Sequence, residues 1–96
     1  MPFVKLYGNL RKIAAEAGFE PAPASIELPG ETVRALLSAL CARAPALRLA
    51  LLDQDVLRPH IRLMVNGRDI ELAQGLETPL RPEDQVSIFP PIAGGR

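Results

Sequence analysis

The last residues of the chain are the part of the sequence whose types and spacing suggest chemistry. The sequence ends Phe89-Pro90-Pro91-Ile92-Ala93-Gly94-Gly95-Arg96. Glycine has no Cβ and enters backbone conformations that other residues avoid. Two consecutive glycines at a flexible end add nothing to a hydrophobic core, so a purely structural role leaves them unexplained. The pattern raises the question of what handles this end of the chain.

The composition fits one globular domain with balanced charges. The 96 residues are 48% hydrophobic, and eleven basic side chains balance eleven acidic ones. Balanced charge provides no positive field to hold a phosphate backbone, so nucleic acid is not expected as a partner. No segment reaches the roughly 18 apolar residues of a membrane helix, and the first residues lack the features of a signal peptide. We therefore expect no membrane partner and a cytoplasmic location.

Single reactive side chains do not indicate a catalytic or metal site. Cys41 is the one cysteine and His60 the one histidine, too few for a zinc ligand set. Cys41 lies at the edge of a predicted apolar helix face, where a free cysteine usually behaves as a small buried hydrophobe. His60 has no adjacent Asp or Ser for a proton relay, and we interpret it as structural. We expect no catalytic residues and no metal.

Alternating apolar residues predict short β-strands at both ends of the chain. The predicted strands cover residues 3–7, 24–28, 61–65, 68–72 and 85–89. Asn66-Gly67 favours a two-residue turn between the third and the fourth, because both positions of such a turn need positive φ. The first two strands are expected to pair antiparallel.

One long helix is predicted between the second and third strands. Residues 32–43 carry one apolar face, made of Val33, Leu36, Leu37, Leu40 and, just beyond, Ala44. Thr32 or Glu31 is expected to begin the helix, and Pro45 to end it. Residues 9–17 predict a single helical turn or a loop, 46–52 a further helical turn, and 53–55 a polar loop. This order of elements predicts an α+β fold.

The strand face opposite the core is predicted to bind a partner. Phe3, Tyr7, Met64 and Phe89 all fall on that face and are expected to form an exposed apolar patch close to the end of the chain. Scattered apolar surface residues are the alternative. Arg62 is expected beside them, either in a small basic patch for an acidic partner surface or simply solvated.

Several blocks of the sequence resemble one protein family. They are the residues LRPH at 57–60, VNGRDI at 65–70, GLETPL at 75–80 and DQVSIFPPIAGG at 84–95. Together with the order of elements, they resemble the MoaD/ThiS branch of the ubiquitin-like β-grasp proteins. The resemblance implies a mixed sheet of four to five strands with one main helix packed across one face. It also implies a β-grasp domain over residues 1–89 and a flexible tail over residues 90–96.

The family resemblance implies a protein cosubstrate rather than an enzyme. In such proteins a ubiquitin-activating-type enzyme uses ATP to adenylate the carboxylate of the last glycine. The carboxylate then becomes a thiocarboxylate that donates sulfur, or it is joined to a lysine of another protein. The activated residue is expected to be Gly95, with Gly94 as its slender neighbour. No permanently bound cofactor is expected.

The tail is suited to insertion into another protein, except at its last residue. Six extended residues from Pro90 to Gly95 reach on the order of 20 Å, and Pro90 and Pro91 favour an extended form. Arg96, however, locks Gly95 in a peptide bond. Either a protease removes Arg96 before activation, or Arg96 is a remnant of cloning.

Two alternative functions remain open on the sequence alone. The chain is either a small subunit of a molybdopterin synthase, whose tail enters a larger subunit, or a β-grasp interaction module that is never activated. The sequence does not identify the sulfur acceptor or conjugation target.

Overall fold

One mixed sheet organises the computed structural model, which describes residues 1–16, 26–54 and 56–90. The strands of this described part are β1 (Phe3–Leu6), β2 (Ile26–Glu27), β3 (Leu52–Asp53), β4 (Val56–Leu57), β5 (Arg62–Val65), β6 (Arg68–Asp69) and β7 (Gln85–Phe89). Five of them form the sheet in the order β2-β1-β7-β5-β6, and β3 and β4 form a separate two-stranded ribbon.

The last strand lies in the middle of the sheet. It pairs in parallel with β1, where Val4 is opposite Val86 and Leu6 opposite Ile88. On its other side it pairs antiparallel with β5. The predicted antiparallel pairing of the first two strands is confirmed for β1 and β2. The carboxyl end of β7 therefore lies between the end of β1 and the start of β5.

Three α-helices, α1 (Asn9–Glu16), α2 (Val33–Arg43) and α3 (Pro45–Leu51), accompany the strands in the described residues. The predicted start of α2 is confirmed, because the Thr32 side chain accepts a hydrogen bond from the backbone N–H of Ala35. Pro45 follows the end of α2 as predicted, but it also occupies the first turn of α3. Proline suits that position because its missing N–H has no intrahelical acceptor there.

The core lies between α2 and the inner face of the sheet. The predicted apolar face of α2 is confirmed, since Val33, Leu36, Leu37 and Leu40 are each at most 2% exposed. From the strands, the core includes Val4, Leu6, Leu63, Val86 and Ile88. Cys41 is buried, as predicted. The α+β prediction, with a main helix across a mixed sheet, is confirmed.

Three local predictions were wrong or too short. Residues 9–17 were predicted as one helical turn or a loop, whereas Asn9–Glu16 is an eight-residue helix that packs on α3. Packing of the buried Leu10 against the core stabilises this short helix. The predicted polar loop at 53–55 instead contributes Asp53 to a ribbon, in which Leu52 pairs with Leu57.

The fourth predicted strand ends earlier than its alternation indicated. It was expected over 68–72, but β6 ends at Asp69 and a 3₁₀-helix follows over Ile70–Leu72. The Asp69 side chain accepts a hydrogen bond from the Glu71 backbone N–H at 2.9 Å. This local bond stabilises a turn in competition with continued strand pairing.

Candidate functional site

The outer face of the sheet, opposite α2, carries the residues predicted to bind a partner. Pairing places Arg62 directly opposite Phe89, and the strand alternation puts Tyr7 on the same face. The three side chains therefore form a row across β1, β7 and β5, at the end of the sheet where β7 stops. We call this row, with Lys5 and Met64, the exit face.

Two aromatic rings form the centre of the exit face. The centroids of Tyr7 and Phe89 are 4.3 Å apart and their planes differ by 19°. The ammonium nitrogen of Lys5 lies 5.5 Å from the centroid of Tyr7, within cation–π range. Tyr7 and Phe89 are both half-buried, so the stack presents apolar edges to solvent while its position is fixed.

Arg62 is held at the side of this stack by an ion pair. Its Nη1 donates to Oδ2 of Asp69 at 3.0 Å. The Arg62 side chain is 67% exposed and that of Asp69 only 14%, so solvent screens the pair and its contribution to stability is small. The chief consequence is orientation, since the pair draws the guanidinium toward β6, on the side of β5 away from β7.

Met64 and Phe3 occupy different parts of the outer face. Met64 is opposite Ser87, which makes it a diagonal neighbour of Phe89. Phe3 is opposite Gln85, four residues along β1 from Tyr7, or roughly 13 Å at the rise of a strand. The structure thus gathers Tyr7, Met64 and Phe89 near the end of β7 and leaves Phe3 at the far end.

Pro90 is the first residue after β7 and the last one described. It is half-buried, and its ring lies against Gly8. The backbone N–H of Tyr7 donates to the carbonyl of Ile88 at 3.2 Å, which ties the chain before Gly8 to the end of β7. The predicted tail residues Pro91, Ile92, Ala93, Gly94, Gly95 and Arg96 lie outside the described residues.

A tight turn borders the same end of the sheet. The backbone N–H of Ile61 donates to the carbonyl of Arg58 at 3.2 Å, and His60 has a φ of 75°. Pro59 followed by positive φ is typical of a type II turn, in which glycine is favoured at the third position. His60 is exposed, and its structural interpretation stays a prediction.

A polar cluster fixes the opposite end of β7. Asn66 Nδ2 donates to Asp84 Oδ1, and the backbone N–H of Gln85 donates to Asn66 Oδ1, both at 2.9 Å. Asn66 adopts a φ of 52° in the predicted Asn66-Gly67 turn. These bonds connect the start of β7 to the β5–β6 turn. They stabilise the register of β7 that places Phe89 on the exit face.

Within the described residues, the site contains no group of three or more His, Cys, Asp or Glu that could hold a metal ion. Burial raises the pKa of Cys41, and the Arg48 charge lowers it to a lesser extent. The thiol is therefore protonated at neutral pH and poorly nucleophilic. No helix among these same residues is long and apolar enough to cross a bilayer. The exit face itself presents a row of aromatic and charged side chains.

The family comparison covers almost the whole chain. The model of the ThiS family matches residues 4–95, so the match ends at Gly95 and leaves Arg96 outside. The chain belongs to the ThiS family.

Individual relatives are carriers and modifiers. The chain is 38% identical over 64 residues to small archaeal modifier protein 3 of Haloferax volcanii, covering 67% of this chain and 70% of the relative. It is 31% identical over 74 residues to the sulfur carrier protein CysO of Mycobacterium tuberculosis, covering 74% and 80%. In the crystal structure of the Amycolatopsis orientalis BexX/CysO complex, a chain 25% identical superposes with a TM-score of 0.83, covering 99% of this chain and all of that one.

These comparisons confirm the ubiquitin-like β-grasp and the predicted MoaD/ThiS resemblance. They support a ubiquitin-like sulfur carrier or small modifier, since the relatives are proteins of this kind rather than catalysts. Lys5 on the exit face, and Gly8 and Asp69 next to it, were not predicted as site residues. A glycine directly after a predicted strand was a visible signal for Gly8, but its contact with Pro90 depends on the pairing of β1 with β7.

Proposed function

We propose that the chain is a sulfur carrier or protein modifier whose Gly95 carboxylate is activated by a ubiquitin-activating-type enzyme. The observation that carries this proposal is the position of Pro90, the first residue of the tail, which we call the tail root. Pro90 leaves the central strand directly beside the stacked rings of Tyr7 and Phe89. A partner docked on the exit face thus stands next to the start of the tail. The end of the family match at Gly95 supports the same glycine as the activated residue.

The proposed chemistry requires a free glycine carboxylate. Hydrolysis of the peptide bond between Gly95 and Arg96 by a protease supplies it. One carboxylate oxygen then attacks the α-phosphorus of ATP, and pyrophosphate leaves. A hydrosulfide attacks the acyl carbon next, so that a C–S bond forms and AMP leaves, which gives the thiocarboxylate. A lysine amine in place of the hydrosulfide gives an amide and makes the chain a modifier.

The exit face is the proposed docking surface for the activating enzyme. Aromatic side chains and arginine are enriched at the centres of protein interfaces, and here Tyr7, Phe89 and Arg62 lie in one row. Lys5 places a positive charge beside Tyr7, whereas the charge of Arg62 is paired with Asp69. This arrangement favours a partner surface with an apolar centre and an acidic group that meets Lys5. In the BexX/CysO structure, a CysO is in complex with another protein.

The test compares two forms of the chain that differ by one residue. The form ending at Gly95 and the full 96-residue chain are each incubated with ATP, sulfide and the activating enzyme of the same organism. We expect only the form ending at Gly95 to gain mass, because one oxygen of its carboxylate is replaced by sulfur. No gain in either form would contradict the sulfur-carrier role, and absence of ATP–pyrophosphate exchange as well would contradict activation and leave an interaction module. Intact mass of the protein from its native host tests removal of Arg96, and full-length chain alone in cells with an active pathway would contradict it.

Copurification tests the synthase alternative separately. A molybdopterin synthase small subunit is expected to copurify with a larger subunit, whereas a free carrier is expected to associate with its activating enzyme. A stable complex with the large subunit would assign the tail to a synthase active site.

A further inference from the structure

A side chain at position 8 would collide with Pro90, the tail root. A Cβ built on Gly8 lies 2.7 Å from Cγ and 3.4 Å from Cδ of Pro90. Unbonded carbon atoms prefer a separation of about 3.5 to 4.0 Å. The ring of Pro90 therefore occupies the space that any other residue at position 8 would fill.

Other glycines of the described residues show that this contact is a separate requirement from backbone conformation. Gly8, Gly67 and Gly75 all have positive φ, of 58°, 86° and 60°. A Cβ on Gly67 or Gly75 meets nothing within 4 Å. Positive φ alone accounts for glycine at those two turns, whereas at Gly8 the tail root adds a steric requirement.

The backbone on both sides of Gly8 is fixed, so a collision is relieved by movement of Pro90. The N–H of Tyr7 is bonded to Ile88, and the carbonyl of Gly8 accepts from the N–H of Arg11 at 3.2 Å as α1 begins. Pro90 follows β7, which pairs with β1 on one side and β5 on the other. Pro90 itself lies outside that strand. Its ring is the part of this contact with fewer restraints.

We propose that Gly8 is a positioning residue for the tail: it provides the seat for the Pro90 ring and thereby sets the direction in which the chain leaves β7. This assignment rests on the proposed function, because direction matters only if the tail must enter a partner docked on the exit face. A proline in a fixed seat transmits that direction, since its own ring restricts φ. Misdirection of the tail reduces productive insertion without removing the docking surface.

The test uses adenylation of the Gly95-terminated chain, measured as ATP–pyrophosphate exchange with the activating enzyme of the same organism. For Gly8→Ala we expect kcat to fall at least about tenfold, since small errors of placement can cost far more than that in rate. The KM for the carrier is expected to stay within about twofold of the parent value, because Gly8→Ala retains the docking contacts of the exit face.

Two matched variants separate misdirection from general strain. Gly75→Ala introduces the same Cβ at nearly the same φ with no neighbour, and we expect it to leave kcat unchanged. Pro90→Ala removes the ring from its seat without adding strain at position 8, and we expect it to lower kcat as well, with KM unchanged within about twofold. Thermal unfolding of each variant verifies that it is folded, and NMR contacts between residues 8 and 90 report the seat directly.

The outcomes distinguish this assignment from the proposed function. If the parent is activated and Gly8→Ala equals it, or if Gly75→Ala loses as much kcat, the positioning role is overturned. An unchanged kcat in Pro90→Ala also overturns it. If the parent itself supports no exchange, the proposed function is overturned, and the role of Gly8 in activation with it.

Discussion

The two faces of the sheet are built from the same central strands but have opposite surroundings. On the inner face, Val4, Val86 and Ile88 are each 0% exposed and lie under α2. On the outer face, Lys5, Tyr7 and Phe89 are half-buried with no helix over them in the described residues. The inner face contributes stability through burial, whereas the stacked rings of the outer face stay partly accessible to solvent. Substitutions of adjacent residues on β7 should therefore have different consequences.

The largest effect on stability is expected on the inner face. Ile88→Ala removes a fully buried side chain and leaves a cavity, which should lower the free energy of unfolding by about 2 to 5 kcal/mol. Urea denaturation measures this change. A loss below about 1 kcal/mol would contradict the assignment of Ile88 to the closely packed core.

The neighbouring outer-face residue should affect binding more than folding. Phe89→Ser removes the ring stacked on Tyr7, and we expect affinity for the activating enzyme to fall at least about tenfold. Its cost to stability is expected near the 0.5 to 1.5 kcal/mol of an aromatic pair plus some lost burial. Calorimetry of the two proteins measures the affinity.

Val56 provides the matched control for Phe89. It is an apolar strand residue, 60% exposed, on the ribbon outside the main sheet. Val56→Ser should leave the affinity unchanged. Unfolding by Phe89→Ser, or equal weakening by both substitutions, would contradict the docking role of the exit face.

The ion pair beside the rings should contribute modestly. Asp69→Ala removes both the acceptor for Arg62 and the acceptor for the Glu71 N–H, and we expect about 1 kcal/mol of destabilisation. Arg62→Ala breaks only the exposed pair and should cost less than about 0.5 kcal/mol. Chemical denaturation of both variants tests the order, and an equal or larger loss for Arg62→Ala would reverse it.

At neutral pH no effect is expected from the ionisation of Cys41, and its effect is confined to high pH. Burial raises the pKa of its thiol, so above the unfolded pKa of about 8.5 the unfolded chain ionises first. The free energy of unfolding should then decrease as pH rises, by at most about 1.4 kcal/mol per pH unit from this group. Below that pH the contribution is constant. Cys41→Ala should abolish this part of the pH slope, measured between pH 8 and about 10, and an unchanged slope would contradict it.

Local patterns were informative where one interaction dominated. The spacing of Val33, Leu36 and Leu40 predicted α2 because burial of one face decides a helix of that length. Thr32 predicted its start through a hydrogen bond between near neighbours. The polar residues after α3 gave no sign of the β3–β4 ribbon. The end of β6 was also not predicted, because it depends on the hydrogen bond from the Glu71 N–H to the Asp69 side chain, which the alternation of apolar residues does not reveal. Two-residue strands carry too little pattern to be recognised.

The site was predictable in part for the same reason. Alternation placed Tyr7, Met64 and Phe89 on one face, since successive strand residues point to opposite sides. It gave no information on their separation. The distance of Phe3 from Met64 and Phe89 follows from the pairing of three strands, which no local pattern specifies.

The sequence by itself determined the apolar face of the main helix, the alternation of the strands and the Gly94-Gly95 end that indicates the family. Only the tertiary structure decided that Gly8 lies against Pro90. These residues are far apart in the chain, and their contact exists because the last strand pairs in parallel with the first. Register between distant strands is set by the packing of the whole core, so the seat for the tail root is a property of the fold.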